Sequence, residues 1–282
     1  MIDSEFERPG LATPVRVTAI DGERRHEKID DVATEEPLEI RLAAGGRTQS
    51  VAVTMRTPGN DFELAAGFLF SEGIVRSSGD LSGISYCIDP QVDREQRYNI
   101  VNVALAAPEL PQLERLERYF TTSSACGVCG KASIDALATR ARRIEDDLRV
   151  SPAFIAGLPQ KMRDAQRVFA STGGLHAAAL FDRNGELLVL REDVGRHNAV
   201  DKILGWALLA GRVTLRGCVL LVSGRASFEL VQKSIVAGIP VLCAVSAPSS
   251  LAVELAKAFG LTLAGFVRGD RANVYSEPKR VR

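Results

Sequence analysis

The pattern that most restricts the fold lies in the C-terminal third. Short runs that are apolar almost throughout (residues 217–222, 241–245 and 261–267, the last of them expected to end the sheet) alternate with stretches of helical period (residues 226–236 and 249–259). A strand apolar along its length has no face to offer water, so both faces of its sheet must be covered. Alternating strands and helices set successive strands side by side and in one direction. The pattern therefore predicts a mostly parallel sheet with helices on both faces. Upstream, residues 175–181 and 186–191 read as strands joined by the turn Asp182-Arg183-Asn184-Gly185, and residues 198–209 read as a helix. Ser151-Pro152 marks a helix start and Gly173-Gly174 its end, with Pro159 expected to break the stretch in two. Residues 151–282 thus read as an α/β domain in the order helix, β-hairpin, helix–strand units.

The first half reads as a smaller α+β domain over residues 14–120, after a loose tail at 1–13. Two-residue periodicity over Val15, Val17 and Ala19, over Leu38, Ile40 and Leu42, and over Val51, Val53 and Met55 predicts strands. Ala43-Ala44-Gly45-Gly46 predicts a hairpin loop between the last two. Asn60 or Asp61 is expected to cap a helix running to Phe70 and ending near Gly73. Residues 98–105 read as a strand and 113–119 as a short charged helix; residues 121–150 form the connection between the domains. The charge-dense run 140–149 reads as a solvated helix face or linker.

Lys plus Arg and Asp plus Glu number 35 each, so no global charge draws the chain to nucleic acid or to a membrane. No apolar run approaches the length of a membrane span. The start of the chain lacks the apolar stretch of a signal peptide, and a cytosolic location is expected. Of five cysteines, Cys87, Cys218 and Cys243 stand alone, which is no disulfide framework. Cys218 and Cys243 lie in apolar runs and read as inert strand residues.

The other two form the pair Cys126-Gly127-Val128-Cys129, preceded by Thr and Ser and followed by Gly130-Lys131. Such a pair can close a disulfide, hold half of a metal site, or carry sulfur as a persulfide. Every one of these uses needs thiolates. Lys131 and a helix expected over residues 130–139 place positive charge beside the sulfurs, which lowers a thiol pKa. The composition reads as a loop that meets solvent and partners. Further polar clusters fall at the expected strand ends. They are Arg191 through Asn198, Ser223-Gly224-Arg225-Ala226-Ser227, Ser246-Ala247-Pro248-Ser249-Ser250, and Phe266-Val267-Arg268-Gly269-Asp270-Arg271. In an α/β sheet they bring Arg196, Arg225, Arg268 and Arg271 to one rim, where guanidinium groups and helix N-termini suit a phosphate ligand. Neither a Walker A nor a G-x-G-x-x-G motif is present. His176 lies early in an apolar strand, and His197 begins a helix beside arginine.

These residues resemble the formate dehydrogenase accessory sulfurtransferase family. The resemblance rests on Cys126 through Gly130, Gly173-Gly174-Leu175-His176-Ala177-Ala178, Arg191 through Lys202, and Ser223-Gly224-Arg225. It continues through Thr57-Pro58, Glu63-Leu64-Ala65, Gly67-Phe68-Leu69 and Gly265-Phe266-Val267-Arg268, in one order along nearly the whole chain. It implies a sulfurtransferase that accepts persulfide sulfur from a cysteine desulfurase and passes it to molybdenum bis(molybdopterin guanine dinucleotide), which is then inserted into formate dehydrogenase. It implies a cytidine deaminase-like larger domain and a homodimer. Carried over, Cys126 is the persulfide carrier and Cys129 assists, by closing a disulfide or by relaying the sulfur. Phe266, Val267, Arg268, Gly269, Asp270 and Arg271 match the segment that binds the guanine-bearing cofactor, with GDP as a mimic; by its own chemistry Asp270 can accept from a guanine or ribose edge.

Rival readings are a non-catalytic chaperone for that cofactor and a zinc-binding deaminase-like protein. The deaminase signature needs H-x-E at one helix start and P-C-x-x-C at the next. Here Ala199 stands two residues after His197 in place of Glu, and the run from Gly224 to Phe228 has no cysteine. No metal is expected, and no βαβ thioredoxin pattern surrounds the cysteine pair.

Overall fold

The computed structural model describes residues 10–111, 137–138, 141–212 and 214–282. The helix expected over 113–119 and the Cys126–Cys129 segment lie outside the described residues, as does the helix over 130–139 except for helical Leu137 and Ala138.

An N-terminal hairpin opens the chain. Strand β1 (Ala12–Asp21) pairs antiparallel with β2 (Arg24–Ala33) across a turn at Gly22. The strand begins inside what reads as tail. β2, with the sequence RRHEKIDDVA, has no apolar alternation to predict it and is exposed along nearly its whole length. β3 (Glu36–Ala44) and β4 (Arg47–Arg56) form the expected hairpin, closed by Gly45 and Gly46, both at positive φ. Helix α1 (Asp61–Ser71), β5 (Leu81–Tyr86) and β6 (Ile100–Leu105) complete a unit whose sheet has the order β4-β3-β6-β5. Asn60 does not cap α1 through its side chain; its backbone turns left-handed, at φ 56°, and its carbonyl accepts from Leu64 N–H. The run 141–149 is irregular and pinned at Ile144, whose N–H donates to Phe259 O.

Then come α2 (Pro152–Ala165), α3 (Arg167–Thr172), β7 (His176–Phe181), β8 (Leu187–Asp193), α4 (Arg196–Leu209), β9 (Val219–Val222), α5 (Phe228–Val236), β10 (Val241–Ala244), α6 (Ser250–Phe259), β11 (Thr262–Arg268) and β12 (Arg271–Ser276). Ser151 Oγ caps α2 by accepting from Phe154 N–H at 3.0 Å. Pro159 does not break this helix. Ile155, Leu158 and Met162, spaced along one face, bury against the sheet and outweigh the lost Pro159 hydrogen bond; the break comes at Gln166 instead.

The six strands order as β12-β11-β10-β9-β7-β8. Only the β9–β10 and β10–β11 pairings are parallel, so the sheet is mixed rather than mostly parallel. The cause is a hairpin at each end, β7–β8 and β11–β12; residues 261–267 do not supply the last strand. Side chains alternate between two cores. Ala178, Leu180, Leu220, Val222, Leu242 and Ala244 meet α4, α5 and α6. Ala177, Ala179, Phe181, Val219, Leu221 and Cys243 meet α2. The expected architecture, helices on both faces with a smaller N-terminal α+β unit, is present.

The two sheets meet through α1 and α4, which cross at Gly67 and Gly205. A methyl group at Gly67 would lie 1.8 Å from Asp201 O, and one at Gly205 1.8 Å from Glu63 O. Ion pairs flank the crossing. Arg191 forks onto Glu63 at 2.5 and 2.7 Å, and Lys233 Nζ donates to Asp201 Oδ1 at 2.8 Å and Ser71 Oγ at 2.7 Å.

Candidate functional site

β8, β9, β10 and β11 run in one direction, so their carboxyl ends share an edge, and β7 starts there, with His176 paired to Asp193. A cleft of about 650 Å³ opens at this edge. Its sheet side carries His176, Ser223, Val245, Val267, Arg268 and Gly269; its other wall is the α2–α3 junction with Arg163, Gln166 and Phe169. The floor is fixed by backbone bonds: Ser223 N–H donates to Ala177 O, and Ser223 Oγ accepts from Ala177 N–H, both at 2.9 Å.

His176 sits against Gly224, whose Cβ, if it had one, would be 3.4 Å from Nδ1. Burial first, then the nearby Arg196 and His197, hold the His176 imidazole below the ordinary histidine range, with Asp193 opposing. That favours a neutral ring at neutral pH. His197 Nε2 lies 3.2 Å from Ser227 Oγ and 3.7 Å from Glu229 Oε2, and Glu229 is lowered to about 2, first by His197 and then, against its desolvation, by Ser227. The turn into α4 is held by Asp193, which accepts from Gly195 N–H at 2.8 Å and Asn198 Nδ2 at 3.0 Å and pairs with buried Lys202 at 2.8 Å. Lys202 in turn donates to Thr57 O, so the N-terminal unit helps to set this loop.

The C-terminal candidate segment is divided by the strand geometry. Val267, Arg268 and Gly269 line the cleft. Phe266 takes a left-handed backbone, φ 53°, at a bulge; its N–H donates to Ser246 O, and the residue is 43% exposed. A bulky residue there is strained. Gly269 and exposed Asp270 form the tip between Arg268 and Arg271, which pair across the hairpin. Phe266, Asp270 and Arg271 are not among the residues lining the cleft. Arg196 is half-buried and Arg225 exposed at the same edge. Sequence reasoning misses the α2–α3 wall; the available signal is Gln160, Arg163 and Gln166 at three-residue spacing on one helix face.

Cys126 and Cys129 lie outside the described residues. Cys87, Cys218 and Cys243 are free thiols, and burial pushes Cys243 up to about 12. Among the described residues no group of three His, Cys, Asp or Glu side chains converges to hold a metal ion, and no helix is long and apolar enough to cross a membrane.

Comparison with known proteins adds the lineage. The chain is 56% identical over 255 residues to the sulfur carrier protein FdhD of Streptomyces avermitilis, covering 89% of each chain. It is 52% identical over 268 residues to that of Mycolicibacterium paratuberculosis, covering 94% of this chain and 97% of the other. Among solved structures, a protein from Desulfotalea psychrophila described as a putative formate dehydrogenase accessory protein superposes with a TM-score of 0.73 at 27% identity, covering 97% of this chain and all of that one. Residues 33–282 match the model of the FdhD/NarQ family, and the chain belongs to that family.

Proposed function

We propose that this protein is a sulfur carrier that accepts persulfide sulfur from a cysteine desulfurase and delivers it to molybdenum bis(molybdopterin guanine dinucleotide) for formate dehydrogenase. Cys126 is the carrier. Its thiolate attacks the outer sulfur of the donor persulfide, the donor S–S bond breaks, and the donor cysteine leaves as a thiolate. Cys129 then releases the sulfur by closing a disulfide or relays it. The guanine-bearing end of the cofactor, which is substrate here, enters the cleft, where Arg268 meets phosphate and Gly269 lets the backbone approach. The protein works as a cytoplasmic homodimer.

The observation that carries this reading is the cleft at the strand ends of a family member, lined by the middle of the segment from Phe266 to Arg271. Incubation with a cysteine desulfurase and cysteine, followed by peptide mass spectrometry, tests it. A gain of one sulfur atom on the Cys126 peptide, absent in Cys126→Ala, is expected. Labelling that persists in Cys126→Ala moves the role elsewhere. Formate dehydrogenase activity that survives Cys126→Ala/Cys129→Ala makes the protein a chaperone.

A further inference from the structure

Across the cleft from Val267, Arg268 and Gly269, the wall is built by the α2–α3 junction. Gln166 sits between α2 and α3 with its N–H held by Met162 O at 3.1 Å and Arg163 O at 3.2 Å. The residue is 5% exposed and lines the cleft, yet its side-chain amide has no hydrogen-bond partner among the described residues. The amide is not sealed from solvent: it opens to the cleft, where a ligand can supply the partners the protein does not. Beside it, the Arg163 guanidinium stacks 4.5 Å over the Phe169 ring, adding a preformed flat, cationic surface to the same wall. Met162 and Leu175 add apolar lining.

The geometry points to Gln166 as the residue that reads the ring edge of the bound cofactor. This rests on the sulfur-carrier reading and deepens it. A primary amide presents one acceptor and one donor side by side. A 2-amino-4-oxopyrimidine edge presents a ring N–H beside a carbonyl, which is the complement. The Gln166 carbonyl accepts from the ring N–H, and its NH₂ donates to the ring carbonyl. Guanine and pterin share this edge, and the cofactor contains both. Arg268, on the opposite side of the cleft, is left for phosphate.

Calorimetric titration of the full chain with GDP, with 6-hydroxymethylpterin and with inorganic pyrophosphate separates the contributions. Gln166→Leu should weaken one ring ligand about tenfold or more and leave pyrophosphate unchanged. The ring that loses affinity identifies which half of the cofactor lies there. Arg268→Ala should weaken GDP and pyrophosphate together. If Gln166→Leu loses its native melting transition, Gln166→Asn, which keeps the amide but withdraws it by one methylene, carries the same test. Ring affinities equal to wild type in the Gln166 variant overturn this inference and leave the sulfur-carrier reading standing. Absence of any binding of GDP or the pterin to wild type overturns the inference and the cleft assignment, while persulfide formation on Cys126 is judged separately.

Discussion

Lys202 and Lys233 are 1% and 6% exposed, a state a lysine tolerates only with a charge partner. Asp193 and Asp201 supply it, and both carboxylates are themselves buried. Such pairs contribute little net stability over an apolar core, but removing one partner strands the other charge. Lys202→Met should therefore cost about 3–5 kcal/mol in urea unfolding, with part recovered in Lys202→Met/Asp193→Asn. A double variant no better than the single one would show that Asp193 is stabilised without the lysine. Glu229 makes a pH-dependent contribution. Its folded pKa, about 2, lies below the ordinary 4.5, so its stabilisation is complete above about 4.5 and disappears as pH falls through about 2. Glu229→Gln should flatten stability against pH within that window alone; an unchanged slope there would remove His197 as its partner. None of this buried pairing is legible in the sequence, where Lys202 and Asp201 look like surface helix residues. Cys126, by contrast, stands out at once, because its chemistry lies in residue type and spacing rather than in burial.

Among the elements, strands with strict alternation are legible and those without it are not. Leu38, Ile40 and Leu42 announce β3 because one face of the strand is buried. β2 gives no such signal because it has no buried face, and β12 follows a strand whose apolar run already reads as the end of the sheet. Pro159 misleads for a related reason: local propensity loses to the packing of Ile155, Leu158 and Met162. The α1–α4 crossing is equally hidden, since a glycine inside a helix reads as a defect until its neighbour is known. Its consequence is measurable. Gly205→Ala places a methyl group 1.8 Å from the Glu63 carbonyl, within fixed backbone, and should destabilise by about 1–3 kcal/mol or more. Gly157→Ala in α2 meets no atom within 4 Å and should stabilise by roughly 0.5–1 kcal/mol through helix propensity. Chemical denaturation of the pair gives opposite signs; two changes of the same sign would show that the crossing relaxes freely.

In the whole molecule, the layers stack as four-stranded sheet, α1, then α4 with α5 and α6, then six-stranded sheet, then α2. The change of pattern from Ser151 suggests two domains, but one apolar core runs from Leu38, Ile40 and Leu42 on β3 through α1 and α4 to Leu220, Leu242 and Leu263. Sequence cannot reveal such continuity, because each half buries enough apolar residues to pass for a unit. A shared core predicts shared unfolding. Cys87, just after β5, and Cys243, in β10, are buried thiols, one beside each sheet. Burial holds Cys243 at about 12, far from reactive thiolate, until the core opens. In Cys126→Ala/Cys129→Ala/Cys218→Ser they are the two remaining cysteines and report separately. Pulsed alkylation across a urea gradient should label both at one midpoint, coincident with the fluorescence change of Trp206, the single tryptophan, on α4. Labelling of Cys87 at lower urea would mean that the N-terminal sheet opens alone. The α1–α4 crossing would then be a hinge, and the Thr57–Lys202 contact that sets the loop before α4 would break with it.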